Sequence, residues 1–204
     1  MRETDVPSPV DLRDPSDARE WERTAQARPE REDIFRAFAA ELQVLDRGEL
    51  SVLELGSGPG FLAAHLLGAM QNLALTLVDF SQVMHDLARC RLGECAKEVR
   101  FLELNFKDSN WNNGLGPFDA VITNQAVHEL RHKRYAESLH MQVKRVLKPG
   151  APYLVCDHYF GEGGMANSQL YMSTDEQKDA LLRAGFKDVA QIIQAGSLSM
   201  LRAA

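Results

Sequence analysis

The chain has 204 residues, 45% of them hydrophobic and 25% charged, the balance of a soluble globular protein with apolar material for one core of domain size. Its 29 acidic side chains outnumber 23 Lys and Arg for a net charge of −6, so the basic footprint of a protein that tracks nucleic-acid backbone is missing and nucleic acid is a poor first partner. Cys90, Cys95 and Cys156 form no C-x-x-C pair and read as reduced core thiols; no leader-like or membrane-spanning apolar stretch is found, so no membrane contact is expected and the expected compartment is the cytoplasm.

Residues 1–28 mix Pro7, Pro9 and Pro15 with many charges and few large apolar groups, and are expected to form a flexible head before a single domain at 29–204. Pro29 opens a helix. Glu30, Glu32 and Asp33 suit its first turn, and Ile34, Phe35, Phe38, Leu42 and Leu45 fall on one face. Apolar runs at about 51–55, 73–78, 99–105, 118–123 and 152–156 then alternate with helical stretches, which is the rhythm of βαβ units and a parallel sheet. One of those helices runs from Gln82 to Leu92 behind Ser81 as N-cap, and another, carrying Tyr135, Leu139, Val143, Val146 and Leu147, is broken by Lys148-Pro149-Gly150. A glycine-rich loop, Gly161 to Gly164, precedes a helix that starts on the capping-box pattern Ser173-Thr174-Asp175-Glu176 and closes at Gly185. Val189 to Gln194 and Leu198 to Arg202 are separated only by Ala195-Gly196-Ser197, too short for a parallel crossover, so they must form a hairpin. The expected fold is α/β: a doubly wound, Rossmann-like sheet in three α/β/α layers.

The turn after the first run carries the chemistry. Val52-Leu53-Glu54-Leu55-Gly56-Ser57-Gly58-Pro59-Gly60 is an apolar run with an acidic residue inside it, feeding a turn with glycine at every second place. Glycine has no Cβ to block approach and tolerates positive φ, so such a turn presses its backbone against a nucleotide-like ligand, or serves only to join strand to helix. Gly56-x-Gly58-x-Gly60 lacks the extra residue of the dinucleotide pattern G-x-G-x-x-G, and Phe61 stands where that pattern wants glycine. Asp79 ends the second run, about 20 residues beyond the turn, where an acidic side chain accepts hydrogen bonds from ribose hydroxyls. Its other reading is to cap the next helix, for which Ser81 is better placed.

With these residues the chain resembles the class I S-adenosylmethionine-dependent methyltransferases, whose first motif reads hydrophobic-acidic-hydrophobic-G-x-G-x-G. The resemblance covers about residues 45–204 and implies seven strands, the last inserted antiparallel beside the fifth. It implies S-adenosylmethionine as cofactor and S-adenosylhomocysteine as product. Glu54 matches the residue that holds the methionine ammonium, and Gly56, Ser57, Gly58 and Gly60 the turn whose backbone approaches the amino-acid part. Asp79 and Phe80 fall at the nucleoside end. Asn105 stands where the family often has Asp, and its amide can still accept from adenine N6 and donate to a ring nitrogen. Phe106 covers the adenine face or packs in the core, and Asn124 offers a carbonyl near the cofactor's amino group.

In the family the segment after the fourth strand passes beneath the sulfonium. Here it reads Asn124-Gln125-Ala126-Val127-His128-Glu129-Leu130, whose His-x-Leu ending resembles the small-molecule members and not the N-P-P-Y stretch of enzymes that methylate the amino groups of DNA bases and glutamine. His128 orients or deprotonates an acceptor, or is a helix-start residue bonded to backbone; Glu129 is solvent-facing or structural. The fifth strand ends in Asp157-His158-Tyr159-Phe160, so Asp157 and His158 join His128 as candidate catalytic residues, their other reading being to tie down the following loop. No spacing supports a metal set from His128, His158 and Asp157, and no metal is expected. Trp21, Arg23, Arg28 and the loop 160–171 are expected to roof the acceptor; Arg23 and Arg28 suit a carboxylate-bearing substrate or are solvated helix charges. The expected function is methyl transfer to a small-molecule acceptor by in-line displacement at the sulfonium methyl. Protein or RNA methylation and non-catalytic nucleotide binding are the alternatives, and acceptor identity and monomer against homodimer stay open.

Overall fold

A strand buried on both faces needs apolar side chains pointing both ways, and those side chains dictate two helical layers. In the computed structural model, which describes residues 4–45 and 48–204, the described residues form six α-helices and one seven-stranded sheet. The helices are α1 (Pro15–Gln26), α2 (Arg31–Gln43), α3 (Phe61–Ala69), α4 (Gln82–Leu92), α5 (Ala136–Val146) and α6 (Thr174–Arg183). The strands are β1 (Leu50–Leu55), β2 (Leu73–Asp79), β3 (Arg100–Glu103), β4 (Ala120–Asn124), β5 (Tyr153–His158), β6 (Val189–Ala195) and β7 (Leu198–Ala203). Leu50 and Val52 of β1 pack with Ile34, Phe38 and Leu42 of α2 and Leu62 and Leu66 of α3, while Leu53 and Leu55 pack with Leu139, Val143 and Val146 of α5 and Leu181 of α6. Three layers result, with Glu54 alone among its apolar neighbours at the end of β1.

Strand order is β3-β2-β1-β4-β5-β7-β6; the first five strands pair in parallel, and β7 runs antiparallel to both β5 and β6. The chain builds outward from β1 to β3, then returns to place β4 on the other side of β1. That reversal opens a crevice at the carboxyl ends of β1 and β4, the ligand position of open α/β sheets.

Some boundaries differ from the expectation for local reasons. β3 stops at Glu103 because Asn105 Oδ1 accepts from Lys107 N at 3.0 Å and turns the chain away. β4 begins at Ala120 because Phe118 N donates to Val146 O at 2.8 Å and the Asp119 carboxylate accepts from Ser51 N at 3.0 Å. Helix α2 begins at Arg31, with Pro29 in the turn before it. Cys90 and Cys95 are exposed, so only Cys156 is a core thiol.

The head departs most from its composition. Residues 1–3 lie outside the described residues; over 4–28 the structure has a strap and helix α1, whose N-cap Asp14 accepts from Ser16 N and Asp17 N. Its attachments are mostly polar: Val6 N to Arg131 O at 2.8 Å, Arg131 Nη2 to Pro7 O at 2.7 Å, Ser81 Oγ to Leu12 O at 2.6 Å, and Arg91 to Glu22 at 2.5 Å. Hydrophobic periodicity cannot report such anchoring. Among the described residues no helix is long and apolar enough to cross a membrane.

Candidate active site

A cavity of about 410 Å³ lies at the carboxyl ends of β1 and β4, between the sheet and the head. One end is built by the glycine turn. Gly56, Gly58 and Gly60 all have left-handed φ, at 66°, 53° and 74°. A Cβ at Gly56 would stand 2.3 Å from the Ala126 Cβ, so glycine lets the segment after β4 press against the turn. A Cβ at Gly58 would meet nothing within 4 Å, because that side of the turn faces the cavity. Gly60 is not part of the wall; it lets Ala88 of α4 approach to 3.0 Å of where its Cβ would be.

Asp79 closes this end from β2. Its Oδ2 accepts from Gly58 N at 2.9 Å and its Oδ1 from Ser81 N at 3.0 Å, which fixes the carboxylate against the turn while each oxygen keeps a second lone pair. Ser81, not Asp79, caps α4, accepting from Met84 N. Burial raises the Asp79 pKa, against the pull of the Gly58 and Ser81 N–H groups. Glu54, 2% exposed, is pushed up to about 8 by burial, with the Asp79 charge adding to it. Glu54 Oε2, Ser57 Oγ and Asn124 Oδ1 are buried without a hydrogen-bond partner, and all three residues are in the cavity wall. A carboxylate and two neutral acceptors aimed at a cavity fit the ammonium and hydroxyl donors of an amino-acid nucleoside.

Phe80 and Phe106 line the wall beyond Asp79. The Arg13 guanidinium lies 4.8 Å over the Phe80 ring. Phe106 belongs to the core cluster and to the cavity wall at once. Asn105 is outside the wall, its Oδ1 bound to Lys107 N, and the structure does not bring it together with the other candidates.

The opposite end is built on one buried carboxylate. Asp157, 4% exposed and behind the cavity wall, takes His128 Nδ1 at 2.6 Å, His128 N at 2.8 Å and His158 N at 2.7 Å. Burial opposes its ionisation, but the His128 charge and these hydrogen bonds outweigh that and hold the carboxyl below its ordinary value. Burial likewise disfavours the His128 imidazolium, yet Asp157 on one nitrogen and Glu129, 3.3 Å from the other, raise its pKa to about 10. His158 goes the other way. Burial lowers its pKa, the His128 and Arg28 charges add to that, and Asp157 opposes it; its Nδ1 is paired with Ser197 Oγ at 2.7 Å. The two imidazole rings are 5.6 Å apart, and the Tyr171 ring lies 5.4 Å from His128 and 5.9 Å from His158. Both histidines and the tyrosine face the cavity, with Met165 and Leu170 of the folded-back loop beside them.

The roof is Trp21, Arg28 and Arg31 together with the strap. Arg28 Nη1 donates to the Gln125 side-chain oxygen. Arg23 is not there: its side chain is 72% exposed and paired with Glu20 at 2.6 Å. Sequence reading missed Arg31, whose guanidinium lies 4.0 Å over the Phe61 ring, donates to Ala25 O, and keeps a buried Nε without a partner. Burial, then Arg28 and Arg91, lower its pKa to about 10. The signal for it was a cation in the first turn of a helix, where the dipole disfavours one. The Glu129–Arg131 pair was also missed in the wall, whereas Tyr171 ends the loop 160–171 that was expected to roof the acceptor and is held there by the bridge of Tyr159 with Met172. Among the described residues no group of three or more His, Cys, Asp or Glu is placed to hold a metal.

Residues 52–150 match the family model described as a methyltransferase domain. No curated protein matches the chain in sequence. Among solved structures, the chain superposes on an O-methyltransferase family protein from Burkholderia thailandensis with a TM-score of 0.75, at 20% identity over 92% of this chain and 59% of that one. A SAM-dependent methyltransferase from Aquifex aeolicus gives a TM-score of 0.68 at 22% identity, covering 93% and 97%. Human N-acetylserotonin methyltransferase in complex with SAM gives 0.73 at 16% identity, covering 94% and 56%. The chain spans only 59%, 49% and 53% of the first three structures it matches, and at these identities they show a shared fold.

Proposed function

Residues 52–150 match a methyltransferase domain, and from that premise we propose that the chain uses S-adenosylmethionine to methylate a small-molecule acceptor. One observation carries this reading: a single cavity joins the Glu54–Asp79 carboxylates beside a left-handed glycine turn to the His128–His158–Tyr171 cluster. Its roof closes over the cofactor end with the strap, which suits a small acceptor better than a polymer. Human N-acetylserotonin methyltransferase, which shares the fold, is named for a small-molecule acceptor. We assign 29–204 as the catalytic domain with 4–28 as its roof, and place the reaction in the cytoplasm on the strength of three free cysteines.

S-adenosylmethionine, when bound, supplies a methyl group already activated by its sulfonium leaving group. The protein's part is to hold, align and exclude water. Glu54 would take the ammonium, Asp79 the ribose hydroxyls, and Phe80 and Phe106 the adenine, with Arg31 the cation available to the carboxylate. His158 is the group able to accept the acceptor's proton at neutral pH, at Nε2, because its other nitrogen is paired with Ser197 and its pKa is depressed. Asp157 is a positioning residue that orients both histidines, and His128 is held as an imidazolium.

Calorimetry with S-adenosylmethionine and S-adenosylhomocysteine tests the assignment. Both should bind, NAD should not exceed background, and Asp79→Ala should lose about 1.5–3 kcal/mol of affinity while staying folded. Stronger binding of NAD, or unchanged affinity in Asp79→Ala, would overturn it.

A second expectation concerns pH. An ammonium prefers an ionised Glu54, and with a pKa of about 8 that carboxyl is mostly protonated at neutrality, so binding must displace its proton. Cofactor affinity should therefore rise from about pH 6 to about pH 7.5, and Glu54→Gln should flatten the rise. In the free protein the sign is opposite. The folded pKa exceeds the unfolded value of 4.5, so the stability that Glu54 contributes is present below 4.5 and lost as pH rises through about 8. A pH-independent dissociation constant in the parent would remove Glu54 from the ammonium site.

A further inference from the structure

Around the acceptor end most charges pair off, although Glu30, whose charge also acts on His158, is in no ion pair among the described residues. Asp157 is matched by His128 at 2.6 Å and Glu129 by Arg131 at 3.3 Å. Arg28 has no such match: in the cavity wall its partner is the neutral amide oxygen of Gln125, and among the described residues no carboxylate lies within ion-pair reach of it. The contact fixes the guanidinium at the segment that leads from β4 to His128, close enough for its charge to act on both His158 and Tyr171. Its neighbour Arg31 is also a cation without a carboxylate partner among the described residues, and Arg91, the third of the group, is neutralised by Glu22 at 2.5 Å. Two guanidiniums facing one cavity repel each other unless anions come to them. Arg31 lies over Phe61, next to the glycine turn, and Arg28 is held at Gln125, on the segment that leads to His128.

We propose that Arg28 binds an anionic group, a carboxylate or phosphate, of the methyl acceptor, and so selects acidic small molecules as substrates. The proposal rests on the methyltransferase reading of the cavity. A guanidinium held on one edge by Gln125 keeps N–H donors for a bidentate oxyanion, and an acceptor anchored there presents its far end to His158 and Tyr171.

The alternative source of the anion is the cofactor's own amino-acid carboxylate, and the test separates the two. Dissociation constants for S-adenosylhomocysteine and for 5′-methylthioadenosine, the same nucleoside thioether without the amino acid, are measured in the parent, Arg28→Gln and Arg28→Lys. Thermal melts of each protein saturated with S-adenosylhomocysteine are then recorded against acetate, benzoate and inorganic phosphate, with acetamide and benzamide as uncharged counterparts. At least one anion should raise the parent's melting temperature saturably while the amides do not. Arg28→Gln should weaken that anion about 10- to 100-fold and leave both nucleoside affinities within about twofold, with Arg28→Lys falling between. Selective loss of S-adenosylhomocysteine affinity in Arg28→Gln, with methylthioadenosine unaffected, would assign Arg28 to the cofactor and overturn the proposal. So would amides as effective as acids, an anion effect unchanged in Arg28→Gln, or no anion effect in the parent. Failure of the parent to bind S-adenosylhomocysteine at all would sink the methyltransferase reading instead.

Discussion

Gly56→Ala should abolish cofactor binding and lower stability by about 2–5 kcal/mol, the sum of two penalties. An alanine at φ 66° is in the left-handed region, which costs about 1–2 kcal/mol, and its Cβ would stand 2.3 Å from the Ala126 Cβ, an overpacking that costs about 1–3 kcal/mol. Relief requires the segment after β4 to move outward, carrying Ala126 from the turn and His128 from Asp157. Gly58→Val is the informative contrast. Its φ of 53° costs a β-branched residue more than an alanine, but nothing lies within 4 Å of the new Cβ and no overpacking is added, so the fold survives while the valine occupies ligand space. Melting curves should rank parent above Gly58→Val above Gly56→Ala, and calorimetry should find no S-adenosylhomocysteine binding in either variant. Parent-like binding in Gly58→Val would mean that the ligand does not contact the turn.

That contrast shows what a sequence can reveal here. The alternating glycines, the buried Glu54 and the strand-terminal Asp79 were legible because backbone approach, burial and strand ends leave local signatures, and Ser81 competed openly for the cap. The hairpin of β6 and β7 was legible because three residues cannot carry a crossover. The head was not, since its anchors are single polar contacts to Arg131, Ser81 and Arg91, each more than 60 positions away, as the separations of 124, 69 and 69 residues show. Asn105 misled because a side chain at the right strand end can satisfy itself two residues on, through Lys107 N, instead of reaching a ligand. The protonation of His128 was illegible for a different reason. Its sequence gives an ordinary imidazole, and only the folding of β5 beside β4 sets Asp157 on one nitrogen while Glu129 takes the other.

His158→Gln should lower turnover by about 10²–10⁴ once an acceptor is in hand, with the S-adenosylhomocysteine dissociation constant almost unchanged. Glutamine keeps a polar side chain near Ser197 but cannot take a proton, so the loss reports the base and not the packing. The pH profile distinguishes the two histidines. A base must be neutral, and His158 has a pKa below the ordinary 6.5, so turnover should climb in the acid range and be level at neutrality. His128 has the opposite sign: the stability it contributes is fully present below its unfolded pKa and is lost as pH rises through about 10. Asp157 completes the window, its contribution present above the unfolded value of 3.8 and lost as pH falls through its lower folded pKa. Between those limits the imidazolium of His128 leaves His158 as the acceptor of the proton. Turnover that keeps rising from about pH 8 toward about pH 10 in the parent, and survives in His158→Gln, would reverse the assignment and make His128 the base.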